Sequence, residues 1–287
     1  MIALVPRSFA NGTYFKPFRQ WLLNHHGIAS IIRFSSRSNL FKGDNVLQEN
    51  VVIKINAHTP QPKHITMLHC ETPDQPLNQR FEVSASLLLK NAAIAMPAND
   101  QELLAIKSMA RLPLSAEAIG LTVETGRLVE CNNRSNLNYE NQGAPYVHSK
   151  HIINGEKISK KRHAPNTPNA LAVNTKTIKW LSPDRNYIVV KRISPNDSSN
   201  QRIVGTIYRA GDLTTNAIAF SNGLQILSLS DETLVDIDRV FEYLTSPSIQ
   251  HFIRAINGTT QLNKSDIQRL RFPKSVLKQT STERAVA

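Results

Sequence analysis

Cysteine is close to absent from these 287 residues: Cys70 and Cys131 stand far apart and without CxxC spacing. That excludes a disulfide framework and a cysteine-based zinc site, and it fits a reducing compartment, the cytoplasm. Long apolar runs are missing too. The opening "MIALV" meets Pro6 and Arg7 at once, too short for a signal-peptide core, and no run approaches the length of a membrane span. GxxxxGK, GxGxxG and a nucleophile elbow do not occur, so the common phosphate loops and a serine triad have no support. Acidic residues are outnumbered: 22 Asp and Glu face 34 Lys and Arg, a net charge of +12. Such a surplus favours a polyanionic partner, because each neutralised phosphate releases counterions. No strongly amphipathic basic helix points to a membrane surface instead. Nine histidines are present, densest at His148-x-x-His151 and from His64 to Cys70. Neither patch brings the carboxylate or paired cysteines of a closed site, so no metal is expected.

What is there suits two α/β domains, given the length and a 40% apolar composition. Residues 2–5 read as a short buried strand, "FANG" as a turn, and "TYFKPFRQWLLNHHG" as a helix. Phe15, Phe18 and Leu22 form its apolar face, Pro17 sits in its first turn and Gly27 is its stop. "IASIIRF" (28–34) and "NVVIKI" (50–55) read as neighbouring antiparallel strands joined by a long functional loop, and "HITMLHCE" as another strand. "PANDQELLAIKSMARL" is a helix capped by Asn99 or Asp100, with Leu103, Leu104 and Ile106 inside. Composition shifts near residue 115. Beyond it, "LTVETGRLVE", "YIVVKRI" and "RIVGTIY" are strand-like, and two helices hinge at Ser246-Pro247. Asn263 caps one more short helix, and the polar tail after Pro273 is expected to fray.

The basic segments carry the functional signal. Between Lys150 and Arg209, twelve Lys and Arg stand against three acidic residues. A solvated charged face is the plainer reading. The sharper one sets Lys160, Lys161, Arg162 and His163, on a proline-flanked loop, together with Lys191 and Arg192, against phosphates or base edges. In the first loop, Arg33, Arg37 and Lys42 surround Phe41, pairing cations for a backbone with an aromatic able to stack on an unstacked base. Phe41 as an ordinary core residue is the alternative.

Taken in order, "VPRSFANGTYFKPFRQWLL" and "IIRFSSRSNLFKGDNVLQENVVIKI" resemble the second half of the catalytic domain of adenine-specific DNA methyltransferases of restriction-modification systems. The likeness is closest to the PstI/BsuBI and Eco57I-like groups of type II modification enzymes. "VETGRLVE", "PYVHSKHIINGEKI", "IVVKRISPNDSSNQRIVGTIY" and "INGTTQLNKSDIQRLRFP" resemble the target-recognition domain that follows in them. The Gln-Leu-Asn of the last string, which contains Gln261, is also similar to specificity subunits of type I systems.

The resemblance implies an α/β fold in which residues 1–115 are the C-terminal part of a Rossmann-like methyltransferase sheet. Residues 116–275 would then be an α+β target-recognition domain and 276–287 a flexible tail. It implies that S-adenosylmethionine donates a methyl group to N6 of an adenine flipped out of double-stranded DNA. Phe41 stands at the position of the aromatic that stacks on the flipped base, and Gln261 joins the expected DNA-binding residues. The family's glycine-bearing cofactor turn and its Asn/Asp-Pro-Pro-Tyr/Phe motif do not occur; "PNTPN" (165–169) is the nearest string. The chain is therefore expected to hold no catalytic, cofactor-binding or metal residues and to be inactive alone. It would work with a separately encoded N-terminal methyltransferase half or a cognate restriction endonuclease system. The alternative is a stand-alone, sequence-specific DNA-binding or specificity subunit that recruits a separate catalytic chain; a third reading is a basic RNA-binding factor. In the family the strand Ile2–Val5 lies inside a parallel sheet, so here it is expected to expose an apolar edge that aggregates or needs a partner.

Overall fold

The alternating apolar runs of the sequence become strands of two separate units. The computed structural model describes residues 1–36, 48–90, 92–158, 164, 166–194, 201–213 and 216–278. Along the chain come β1 (Ile2–Pro6), α1 (Lys16–His25), β2 (His26–Phe34), β3 (Asn50–Ala57), β4 (His64–Cys70), β5 (Gln79–Ser84) and α2 (Asp100–Arg111). They are followed by β6 (Leu121–Thr125), β7 (Ala144–Val147), β8 (Leu181–Pro183), β9 (Tyr187–Lys191), β10 (Gly205–Tyr208), β11 (Ala217–Phe220) and β12 (Leu224–Leu229). The helices α3 (Ile237–Thr245), α4 (Pro247–Ile256) and α5 (Lys264–Gln268) complete the series, with shorter pieces between. Among the described residues no helix is long and apolar enough to cross a membrane.

The first unit comprises Met1–Leu112 and Pro247–Thr260, the second Pro113–Ser246 and Gln261–Ala287. The expected single domain over 116–275 thus needs correction, because α4 and the turn after it pack with the first unit: Met96 N donates to the Ala255 carbonyl at 2.8 Å.

In the first unit the sheet order is β1-β3-β2-β4-β5. β2 and β4 run parallel and every other pair is antiparallel. The sheet is therefore mixed rather than parallel throughout, since β3 returns beside β2 and lies between it and β1. The strand expected to be buried, β1, is an edge: Ile2 is 71% exposed. Pro17 sits in the first turn of α1 as the sequence suggests, but the helix stops at His25. Gly27 belongs to β2, where a Cβ would come within 2.7 Å of the Pro60 carbonyl oxygen; close backbone approach, not helix termination, requires glycine there. Of the three residues expected to form the apolar face of α1, Leu22 is buried while Phe18, and Phe15 just ahead of the helix, stay partly exposed.

Three arginines among the described residues of this unit are interior. Arg19 donates to the carbonyls of Phe9 (2.8 Å), Asn11 (2.9 Å) and Gly12 (2.5 Å), so the "FANG" turn wraps around its guanidinium. Arg7 pairs with Glu49 at 2.5 Å and donates to the carbonyls of Arg254 and Ala255. Burial lowers the Arg7 pKa to about 10, helped by the Arg33 charge and opposed by Glu49, so the guanidinium stays charged at neutral pH. Arg33 pairs with Glu102 at 2.6 Å. In α2, Asn99 caps the helix by accepting from Glu102 N at 2.9 Å. Leu103 and Ile106 face inward, but Leu104 is 63% exposed. Successive helical residues lie ~100° apart, so Leu103 and Leu104 cannot both face the core.

The second unit holds an antiparallel four-stranded sheet, β10-β9-β12-β6. Its five-stranded sheet runs Leu137–Asn138, Ala170–Leu171, β7, β11, β8, with β7 and β11 parallel. Tyr187, Val189, Tyr208, Phe220, Leu224 and Ile226 belong to one buried cluster. β12 is buried at all six positions, which suits a strand covered on both faces. The strands β11 and β12, joined by a short turn but lying in different sheets, were not among the strands expected from the sequence. Asp236 caps α3, and Asn263 heads α5 in a reciprocal capping box with Asp266. The tail differs from expectation as well: Val276 is buried and Lys278 N donates to the Leu234 carbonyl at 2.9 Å, so 276–278 are held. Residues 279–287 lie outside the described residues.

Candidate nucleic-acid interface

The site grows from a turn in the second unit. β9 and β12 pair in register up to Lys191 opposite Leu224, and one residue further Arg192 N donates to the Gly223 carbonyl at 2.9 Å. Arg192 is thereby set against the turn Ser221–Gly223. A second segment joins it: Leu262 N donates to the Arg192 carbonyl at 2.7 Å, and Ile193 bridges to Gln261. The guanidinium reaches the Asn222 carbonyl at 3.3 Å and Gln261 Oε1 at 3.4 Å. Buried Gln225 supports this from below, donating to the Leu262 carbonyl at 2.8 Å and accepting from Thr125 Oγ1 at 3.0 Å. Gln261 is placed just ahead of the capped start of α5.

The other flank of the turn is equally built. Asn222 N donates to the Leu128 carbonyl at 2.8 Å and Ser221 N to that of Val147 at 2.9 Å. Gly126 lies so close that a Cβ would sit 2.0 Å from the Ser221 carbonyl oxygen. Exposed Arg127 and Lys150 border the turn on these two segments. Arg127 meets Glu124 at 3.2 Å with both side chains about half exposed, a pair that constrains it little. His148 lies 3.4 Å from Glu130 and accepts from Lys150 N through Nδ1. Burial pushes its pKa below the usual histidine value, with Lys150 adding and Glu130 opposing.

Arginine offers five donors in a planar fork that fits two acceptors on a guanine edge or a phosphate. Here Arg192 is oriented by two long hydrogen bonds, Nε makes none, and no carboxylate among the described residues neutralises it. Gln261 carries both a donor and an acceptor. The arrangement can present a cation and an amide together on one polar surface.

Of the residues expected to bind DNA, Lys191, Arg192 and Gln261 are brought together. Arg33 is not: it is 6% exposed and donates to the Met96 carbonyl at 2.7 Å as well as to Glu102. That expectation is corrected, because a guanidinium buried in the core and paired with a carboxylate cannot reach a phosphate. Arg37, Phe41, Lys42, Lys160, Lys161, Arg162 and His163 lie outside the described residues. The turn at Asn222-Gly223 was missed, although Asn-Gly between two apolar runs is a strong turn signal; the runs it joins lie in different sheets.

Fold and site together define a two-unit α/β protein whose second unit carries Arg192 and Gln261 on one polar surface beside exposed Arg127 and Lys150. No family model matches the chain. Its homologues are type II methyltransferases. M.PstI of Providencia stuartii is 30% identical over 282 residues, covering 95% of this chain and 55% of the relative. M.BsuBI of Bacillus subtilis is 31% identical over 293 residues, with the same coverage. The chain thus spans about half the length of these relatives. Among solved structures, the type IIL restriction-modification enzyme MmeI in complex with DNA covers 93% of this chain and 38% of its own at 14% identity, with a TM-score of 0.46. That likeness is too slight to bear on fold or function.

Proposed function

We propose that this chain is the DNA-reading part of an adenine-specific DNA methyltransferase of a restriction-modification system, acting in the cytoplasm. In this reading the second unit recognises the target sequence. The first belongs to the methyltransferase domain, where Phe41 receives the flipped adenine. The observation that carries it is homology to type II methyltransferases along 95% of the chain. The surface formed by Arg192, Gln261 and the Asn222–Gly223 turn supports it, as does the net charge of +12.

Methyl transfer of this kind uses S-adenosylmethionine, and the described residues do not suit it. The groove beside β1 has Ser8 as its one polar side chain. The carbonyls of the Phe9–Gly12 turn are taken by Arg19. Neither place offers carboxylates and amides for a zwitterionic nucleoside. We assign no chemical step to this chain, which should be inactive alone and complemented by another methyltransferase segment.

Two measurements on the pure chain test the reading. Labelled S-adenosylmethionine with duplex DNA should give no incorporation, while selection from a randomised duplex pool should return a sequence preference whose affinity falls with salt. Robust incorporation would overturn the first statement, and the absence of any preference the second.

A further inference from the structure

Three side chains of the first unit, none of them used in DNA reading, stand in a hydrogen-bonded row. Ser35 Oγ lies 2.7 Å from His69 Nε2, and His69 Nδ1 lies 2.8 Å from Asn78 Oδ1. The sheet sets all three. β2 and β4 run parallel with Phe34 opposite Cys70, and Ser35 N extends that pairing by donating to the Cys70 carbonyl at 3.2 Å. On the other side of β4, His69 stands opposite Gln79, and Asn78 N donates to the His69 carbonyl at 3.0 Å. No nucleophile elbow marks this row in the sequence, because its members come from the ends of three different strands.

The row has a direction. An amide oxygen only accepts, so the Nδ1 facing Asn78 carries the imidazole proton and Nε2 keeps its lone pair for Ser35. The Ser35 hydroxyl therefore donates to Nε2. A hydroxyl, a base that takes its proton and a third group that orients the base are the parts of an activated nucleophile. Exposure is divided to match: His69 is 5% exposed and held at both ring nitrogens, while Ser35 is open to solvent. The backbone amides of Ser35 and Ser36 already donate to the Cys70 and Glu71 carbonyls, so neither is free to hold a developing oxyanion. Such a row suits a donor whose leaving group departs readily, not an amide.

We propose that Ser35 is a nucleophile that accepts an acyl group from an activated ester or thioester, with His69 as its general base and Asn78 as the positioning residue. The Ser35 oxygen bonds to the acyl carbon as the hydroxyl proton passes to His69 Nε2. The bond from that carbon to the leaving oxygen or sulfur breaks with its electron pair, and the leaving group takes the proton from His69. The product is O-acyl-Ser35 and a free alcohol or thiol. This chemistry is separate from methyl transfer and stands whether or not the chain reads DNA.

The full chain is treated with para-nitrophenyl acetate; nitrophenolate release is followed, and the acetyl group is located by peptide mass spectrometry after acid quenching. Wild type should release faster than Ser35→Ala and carry acetyl on Ser35. The rate lost in S35A is the readout, since lysines and Cys131 react equally in both. Asn78→Ala should lower that Ser35-dependent rate about tenfold or more, and His69→Gln about 100-fold or more. Asn78→Asp should restore at least the wild-type rate, because a carboxylate also fixes the Nδ1 proton and stabilises the imidazolium. Ser35 and Asn78 are exposed, so their variants should melt as wild type does and decide the matter even where H69Q does not fold. Equal release by wild type and S35A overturns the inference. So does a Ser35-dependent rate that Asn78→Ala leaves unchanged, which would make the row a structural hydrogen bond only.

Discussion

Arg33 and Arg192 each meet a partner 69 residues further along the chain, and the two outcomes are opposite. In the first unit Arg33 closes on Glu102 at 2.6 Å with both side chains nearly sealed from solvent. In the second, Arg192 touches Gln261 at 3.4 Å on a partly open surface. The contrast extends to their surroundings. The first unit buries Arg7, Arg19 and Arg33 while leaving Ile2, Leu4, Phe18 and Trp21 exposed; the second buries all of β12 and shows Arg127 and Lys150 to solvent. Arg202 is the second unit's own exception, fully buried with Ser194 accepting from it. A surplus of basic residues therefore does not by itself say where positive charge meets a ligand.

The sharpest way to break the comparison is Glu102→Ala. It leaves the Arg33 charge buried without its carboxylate and should lower unfolding free energy by about 3–5 kcal/mol in urea titration. The paired change Arg33→Met with Glu102→Leu should recover most of it, since no unpaired charge remains. In the second unit Arg192→Ala should leave urea stability near wild type and weaken DNA binding by about 1–3 kcal/mol. Arg192→Lys should not restore it, because an ammonium lacks the planar fork; equal binding by all three proteins would remove Arg192 from the interface. Gly126→Ala forces a methyl group against the Ser221 carbonyl and should destabilise by about 1–3 kcal/mol through overpacking, detectable as a lower melting temperature.

The smallest effect concerns acid. The folded pKa of His148 lies below its unfolded value, so below about pH 6.5 the unfolded chain takes up a proton that the folded chain resists. Stability from His148 is intact at neutral pH and is lost as pH falls toward the lowered folded pKa. Melts recorded at stepped pH should show a shallower acid decline for His148→Gln than for wild type.

Legibility in the sequence followed the range of the signal. Asn99 and Asn263 were readable as caps because a cap and its helix lie within three residues of each other. The placing of β2 beside β3, antiparallel, was readable from two β-rich runs and the chain between them. Leu104 was misplaced because an apolar residue next to Leu103 was counted as core when the helical turn sends it outward. Arg33 was misassigned because its partner, Glu102, is remote and burial cannot be seen from neighbours in sequence. β11 and β12 were overlooked although their Asn-Gly turn was in plain view.

By itself, then, the sequence determined the local elements, the helix caps, the shortage of acidic residues and the likeness to type II methyltransferases, all of which depend on residue identity or on neighbours within a few positions. Tertiary structure alone decided that β3 lies between β1 and β2, that α4 returns to the first unit, and which arginines are sealed and which face outward. The physical reason is that burial and strand partnership are properties of residues brought together from far apart in the chain, and charge is expressed at a surface only where packing leaves it there.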